Sequence, residues 1–556
     1  MTFVVAHALM RPNSVLACTG LGLLLALLAG CGGGRADLGR DISELPPMCD
    51  RDALVLERGF EPSERRSYAY LPFNVPAGTQ RIEVLYGWTS RDFVPGNPLT
   101  ATTVDLGLWD SRGLESGFRG WGGSRQGRLD SDSGPVFIQA DSADRGFEPG
   151  PIQPGIWHVE LGLAATGSQG ADAEVHIRCL PEAQTLETRP KAPLDPNYVA
   201  RSTPGWYAGD FHMHGYHSNP QAPDWTGVIE QARAAGLDLL MLTDYVTQRH
   251  HGELAQAQAA NPELLLWPGR EVITYFGHVN VHGTVNGSPE YRHGYGDITM
   301  SLIQQQAKAA GALFQINHPT IFPPPLFSNL CRGCAYELDA FTDFSAVDTV
   351  EVVTGPPLVD GADVGLPSLG VQIENPFITT AIDWWLDKLR QGFFMTAVSA
   401  SDYKGVASPA ERERVGYGSS ATQIYSAELS RSGIREALQQ GRAYVQVRGV
   451  NDSPTAELMV TTSDGQQGSF GSQLQADQAT AQISLQGASG QILTLYRDQV
   501  PVHSQVVTTD PYVGNFTMFR VPFDEGPLGS IWRFETRDIA SRTLISNPVF
   551  LQPTSN

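Results

Sequence analysis

The chain has 556 residues, too many for one hydrophobic core; a prior of roughly 150 residues per domain sets the expectation at about three domains. Its 41% hydrophobic and 17% charged residues are ordinary globular composition, which excludes a chain that stays largely disordered. With 38 basic against 59 acidic residues the net charge is −21, and no basic run is long enough to build a groove, so nucleic acid is not an expected partner.

Residues 1–30 read as an export signal: Arg11 gives a short positive region, Val15 to Ala29 an apolar stretch, and Leu28-Ala29-Gly30-Cys31 a lipobox. About 15 apolar residues fall short of the roughly 20 that a spanning helix needs. The expectation is an exported protein of the cell envelope, held to a membrane by lipid on Cys31 at its periplasmic or outer face, with 31–48 as a tether beginning Gly32-Gly33-Gly34. Cysteines pair by default in such a compartment. Cys49 and Cys179 bracket the first folded region, and a bridge between them is expected. Cys331-Arg-Gly-Cys334, in a proline-rich loop, is read as a small structural ring; a redox pair is the alternative, and a zinc half-site lacks its second CxxC.

From 49 to 180 short alternating runs such as Thr103-Val-Asp-Leu-Gly-Leu-Trp are separated by Gly and Pro turns, the pattern of a β-sandwich. Trp88, Trp109 and Trp121 are read as packing rather than as a carbohydrate platform. Proline-rich residues 181–204 read as a linker. From 205 to 445 the pattern changes. Helical spacing over Trp225–Ala235, Ile298–Ala310, Ile378–Arg390 and Ser430–Gln440 alternates with apolar runs at Leu237–Leu242, Ala312–Ile316, Asp348–Val353 and Phe393–Val398. That alternation predicts parallel βα units closing into a barrel, with candidate residues at or past the C-terminal ends of strands. Residues 446–556 return to short strands and predict a second sandwich. The fold class is therefore multidomain α/β plus β, a central barrel between two β-sandwiches.

Asp210-Phe-His212-Met-His214 opens the chemistry: residues two apart on an extended chain share a face, so both imidazoles can meet one ion. Glu271, His278, His318 and Asp402 add two carboxylates and two imidazoles at other strand ends. Asp244 is read as orienting a ligand histidine, and His217 as a leaving-group acid or an ordinary loop histidine. Glu351 is either site-lining or structural, His282 structural, and His250 and His251 solvent-facing. There is no GxSxG elbow, no Walker loop and no HExxH helix.

The motif order GDFHMHGYHS, GLDLLMLTDY, WPGREVITYFGHVN, INHP, VSASDYK resembles the polymerase and histidinol phosphatase (PHP) superfamily, whose fold is a distorted seven-stranded (βα)7 barrel. The flanks WDSRGLESGFRGWGG, EPGPIQPGIWHVELG, LQQGRAYVQV and ISNPVF are similar to its carbaryl-hydrolase-like branch. The resemblance implies a first metal on His212, His214, Glu271 and Asp402, and a second on Glu271, His278 and His318, with Glu271 bridging. Where the family holds a third metal this chain has Asn219, Tyr245 and Lys404, poor ligands that imply two divalent ions, Mn, Zn or Fe. Lys404, two residues past Asp402, is expected to share its face on extended backbone and to supply charge there, with Tyr245 donating nearby. The implied activity is hydrolysis of a small-molecule ester by a two-metal-activated hydroxide, as a phosphoesterase or alternatively on carbamate, amide or carboxylic esters. A non-catalytic binding lipoprotein is the third option.

Overall fold

In the computed structural model residues 45–554 are described, apart from 125–128, 130–133, 187–191, 220–221, 326, 328, 330, 362–367, 369, 406–414 and 523–524. The signal segment, Cys31 and most of the tether lie outside the described residues, and from Pro46 onward the chain is one contact unit. No helix among the described residues is long and apolar enough to cross a membrane.

The alternating runs after Cys49 form two four-stranded antiparallel sheets. One has the order Leu54–Phe60, Ala171–Leu180, Arg81–Ser90, Val136–Gln139; the other Ser67–Val75, Gly155–Ala165, Thr103–Trp109, Phe118–Gly123. Val104, Leu106 and Leu108 point inward to meet Ile82, Val84 and Ile177 of the facing sheet. The alternate residues Asp105, Gly107 and Trp109 are buried too, because the middle region of the chain covers the sheet's other face. Gly162 on that face allows the contact: a Cβ there would lie 1.9 Å from the Tyr275 hydroxyl. Trp109 and Trp121 are core residues, and half-buried Trp88 donates to Thr102 O at 2.9 Å. Cys49 and Cys179 are bonded across 130 residues of sequence.

The middle region supplies one end of a fifteen-stranded sheet. Its order is Thr396–Ala400, Thr349–Thr354, Leu313–Ile316, Gly277–His282, Leu265–Thr274, Leu239–Leu242, Gly205–Met213, Ala421–Ser426, Ala443–Gln446. Gly205–Met213, Leu239–Leu242 and Leu265–Thr274 pair in parallel, as do Leu313–Ile316, Thr349–Thr354 and Thr396–Ala400. Gly277–His282 runs antiparallel to both neighbours, so a hairpin interrupts the expected βα alternation. The sheet curls until its far edge meets its middle. Met213 bridges Tyr403, Asp402 N donates to His212 O at 2.9 Å, and Ser399 N donates to Thr422 Oγ1 at 2.8 Å.

Helices Trp225–Ala234, Met300–Ala309, Pro376–Arg390 and Arg431–Gln439 fall within two residues of the predicted ends. Asp224, Thr299, Asn375 and Ser430 cap them through side-chain oxygens, and Pro376 occupies the first turn where its missing N–H costs nothing. Ile378, Ile382, Trp385 and Leu389 form the buried stripe of the longest one. The architecture is mixed α/β with much sheet and few helices.

The expected boundary near 446 lies inside this sheet, which continues through Arg542–Ser546, Ser530–Arg537, Ile492–Arg497 and Val500–Val506. A four-stranded sheet (Gln467–Gly468, Thr455–Thr462, Gln478–Gln486, Tyr512–Phe519) packs on it through Val460, Ile483, Leu493 and Phe534. Buried Asn547 clasps the join: Oδ1 accepts from Ala397 N at 2.8 Å, and Nδ2 donates to Ala397 O at 2.9 Å and Ala443 O at 3.1 Å. The linker is not wholly free either, since Val199–Arg201 pairs with Leu429–Ser430.

Candidate metal centre

The six candidate ligands gather at one end of the curled sheet. His212 is near the end of Gly205–Met213, His318 lies two residues past Ile316 and Asp402 two past Ala400. Two positions correct the expectation of strand ends. Glu271 lies within Leu265–Thr274, which runs on past it, and His278 begins Gly277–His282. The hairpin explains the second: its reversal brings the N-terminal end of the antiparallel strand to the edge where its neighbours finish. His318 and Asp402 take left-handed backbone, φ 27° and 45°. Lys404 therefore reaches Asp402 around a bend and not along an extended strand. Asp210, fully buried, fixes the spacing by accepting from Ser401 N at 3.0 Å, Gly418 N at 3.0 Å and His212 N at 3.2 Å.

Each of the first two imidazoles is oriented from behind. His212 Nδ1 lies 2.9 Å from Glu351 Oε1, and that carboxylate also accepts from Gln315, Thr354 and the backbone of His318. Glu351, whose role the sequence left open, thus sets the tautomer of His212. His214 Nδ1 lies 2.9 Å from Ser218 Oγ, which donates to Asp244 Oδ1 at 2.6 Å. Asp244 orients His214 through that hydroxyl. With Nδ1 of both rings engaged, their Nε2 atoms face each other at 3.1 Å.

Two carboxylates close on those nitrogens. Glu271 Oε2 is 3.2 Å from His212 Nε2 and 3.3 Å from His214 Nε2, and Asp402 Oδ1 is 3.0 Å from His214 Nε2. On its other side, Glu271 Oε1 is 3.0 Å from His278 Nδ1 and 3.6 Å from His318 Nε2. Glu271 Oε2 is buried without a well-aligned hydrogen bond. Two ring nitrogens and an orphaned carboxylate oxygen in mutual contact are a poor arrangement for hydrogen bonding and a good one for a divalent cation. Cys334 also lies near His278 and His318, but its sulfur is bonded to Cys331 and offers no thiolate.

The electrostatics agree with that fit. Burial opposes the charge on Glu271, yet the neighbouring imidazoles, His212 foremost, hold its carboxyl well below the usual range. Burial likewise opposes Asp402, but Lys404 and His212 keep it well below. Burial would lower His212, and Glu271, Asp402 and Glu351 together raise it well above its ordinary value instead. Carboxylates that stay charged when buried, beside an imidazole that holds its proton, mark a cluster that attracts positive charge.

Lys404 Nζ donates to Asp402 Oδ1 at 2.7 Å and sits 5.7 Å from the centre of the Tyr245 ring. Both residues line a cavity of about 340 Å³ together with Glu271, His278, His318 and Arg332. A larger cavity of about 870 Å³, on the first sandwich around Arg58 and Trp88, holds no comparable cluster. His217 stands away from the cavity: its Nδ1 accepts from Gly146 N of the sandwich at 3.2 Å and its Nε2 lies 3.2 Å from Glu253. That leaves it tying two regions together. His282 is fully buried on Gln315, and burial lowers its pKa to about 4. His250 and His251 are not solvent-facing. Arg249–Glu253 is a helical turn that packs His250 fully inside on Leu242 O, with His251 half-buried on Gly269 O.

No family model matches the chain, and no curated protein does. Among the solved structures similar to it are two metal-dependent phosphoesterase assignments. One, from Bacteroides vulgatus, is a two-domain protein containing a predicted PHP-like metal-dependent phosphoesterase, at 19% identity and TM-score 0.34, covering 66% of this chain and 100% of the other. The second, from Bifidobacterium adolescentis and provisionally assigned as a metal-dependent phosphoesterase, has 15% identity and TM-score 0.26, covering 44% of this chain and 96% of the other. The functional reading rests instead on the side chains.

Proposed function

We propose that this protein is a metal-dependent hydrolase of phosphate esters with a two-ion centre, belonging to the PHP superfamily and held at the cell envelope by lipid on Cys31. The observation that carries the reading is the division of Glu271: one carboxylate oxygen faces His212 and His214, the other His278 and His318. One carboxylate between two imidazole pairs is the chemistry of a shared ligand, and nitrogen and oxygen donors of this kind suit Mn, Zn or Fe.

Divalent ions bound there would supply an activated water at neutral pH and polarise the oxygen under attack. The remaining steps belong to the chain. Glu351 and Asp244 hold the two ligand rings in the tautomers that present Nε2 inward. Lys404, its charge secured by Asp402, places an ammonium at the cavity wall where an anionic ester oxygen would lie. Tyr245 keeps its phenolic proton, because burial raises its pKa despite Lys404, and so remains a donor. A fixed ammonium beside the centre favours a phosphate ester over a neutral carbamate.

Metal analysis of the purified protein followed by a panel of phosphate, carbamate and carboxylic esters tests the reading. Glu271→Gln should lose metal and turnover together, by about a hundredfold or more in turnover. Two ions per chain with near-normal turnover in that variant would overturn the bridging assignment.

A further inference from the structure

One wall of the metal cavity does not come from the strand ends. It is the loop Cys331–Cys334, whose bridge closes a small ring around Arg332. The loop is pressed onto the turn at Tyr275: Gly333 has φ 83°, and a Cβ there would lie 2.2 Å from the Tyr275 carbonyl oxygen. Arg332 O lies 3.3 Å from His278 Nε2. The guanidinium is held from the far side by the N-terminal sandwich. Nε donates to Asp105 Oδ1 at 2.9 Å, and Nη2 donates to Ser124 Oγ. Asp105 is fully buried, and its second oxygen accepts from the Tyr275 hydroxyl at 3.1 Å.

These bonds occupy one edge of the guanidinium. Among the described residues Nη1 has no protein acceptor, while the side chain is 27% exposed and lines the cavity with Glu271, His278, His318 and Lys404. A planar cation tied back along one edge and open along the other suits an oxyanion such as phosphate, which it can take with aligned N–H groups. Were Arg332 only a strut between sandwich and loop, the cavity would have no need to expose it.

We infer that Arg332 binds the non-bridging oxygens of the substrate phosphate, and that Asp105 of the N-terminal sandwich is its positioning residue. The inference deepens the phosphoesterase reading and rests on it. It makes the sandwich part of the active site, since Arg332 without Asp105 would be free to swing toward other carboxylates in the pocket.

The test uses the full-length metal-loaded protein and three variants: Arg332→Lys, Asp105→Asn, and the double variant Asp105→Asn/Arg332→Met, which removes both paired charges so that the buried carboxylate is not stranded. Binding of inorganic phosphate is measured by calorimetry, kcat and KM with para-nitrophenyl phosphate, and metal content by mass spectrometry. Arg332→Lys and the double variant should keep their metal and bind phosphate about tenfold or more weakly, with KM rising in step, the scale of a lost charge-assisted hydrogen bond. Asp105→Asn should raise KM by a smaller factor and leave metal content unchanged. Unchanged phosphate affinity in the double variant would overturn the role of Arg332, and unchanged KM in Asp105→Asn that of Asp105. Wild-type protein that binds no metal would instead sink the parent reading, while metal-free protein titrated with phosphate would still report on Arg332.

Discussion

The two β-sandwiches join the region that holds the candidate metal centre in opposite ways. The C-terminal one is joined through backbone: its main sheet is the central sheet continued, strand beside strand from Ala443–Gln446 to Arg542–Ser546. Among the described residues the N-terminal one shares no strand pairing with it, and it docks through side chains. Glu160 of the sandwich is fully buried and accepts from Tyr291 at 2.7 Å, Tyr70 at 2.8 Å and Trp109 at 2.8 Å, while Arg292 of the middle region stacks 4.0 Å over Trp109. Asp105 does the same for Tyr275 and Arg332. Backbone continuity gives rigidity and carries no chemistry of its own. A docked face puts carboxylates within reach of the candidate centre, so the sandwich that looks more separable is the one whose side chains reach that cavity.

Three perturbations would sharpen that contrast. The largest effect should come from Cys49→Ser with Cys179→Ser, which opens a loop spanning 130 residues of sequence and costs about 5 kcal/mol by chain entropy. The loss belongs to the N-terminal sandwich, so calorimetry should show an early transition split from the main one. A single transition shifted as a whole would mean the two regions unfold together. Next, Asn547→Ala removes three buried hydrogen bonds at the backbone join and should cost about 4 kcal/mol, read as a lowered denaturation midpoint with loss of metal. The smallest should be Glu160→Ala, about 3 kcal/mol for an interface carboxylate whose tyrosine and tryptophan donors lose their acceptor. It should speed proteolysis of the sandwich while metal content stays intact; metal loss here as severe as in Asn547→Ala would erase the distinction.

Much of this was legible in the chain itself. Helix positions followed from the spacing of apolar residues, such as the stripe of Pro376–Arg390, a local signal; the caps Asp224 and Asn375, which fix the exact starts, were not read from the sequence. His212, His214, Glu271, His278, His318 and Asp402 were recognisable as ligand types in motif order, and the structure brings them together. What sequence hid was non-local. Asp105 and Glu160 occupy the polar phase of alternating strands, a pattern normally belonging to a solvated face, and only the docked partner turns it inward. Arg332 sits in a short Cys-flanked loop with no periodicity to mark it. His250 was misplaced because a single helical turn leaves too little pattern to show which side is covered.

The left-handed backbone at His318 and Asp402 has a consequence for how the chain can change. Such conformations cost about 1 kcal/mol or more outside glycine, with asparagine, aspartate and histidine the more tolerant of the other residues. Two of the six candidate ligands therefore stand where the fold would be more comfortable with another residue. Here robustness and metal binding pull against each other under the proposed reading: Gly at 318 or Asn at 402 would ease the chain and remove a candidate ligand. A lineage selected for heat tolerance alone would drift toward an inert scaffold of the same shape.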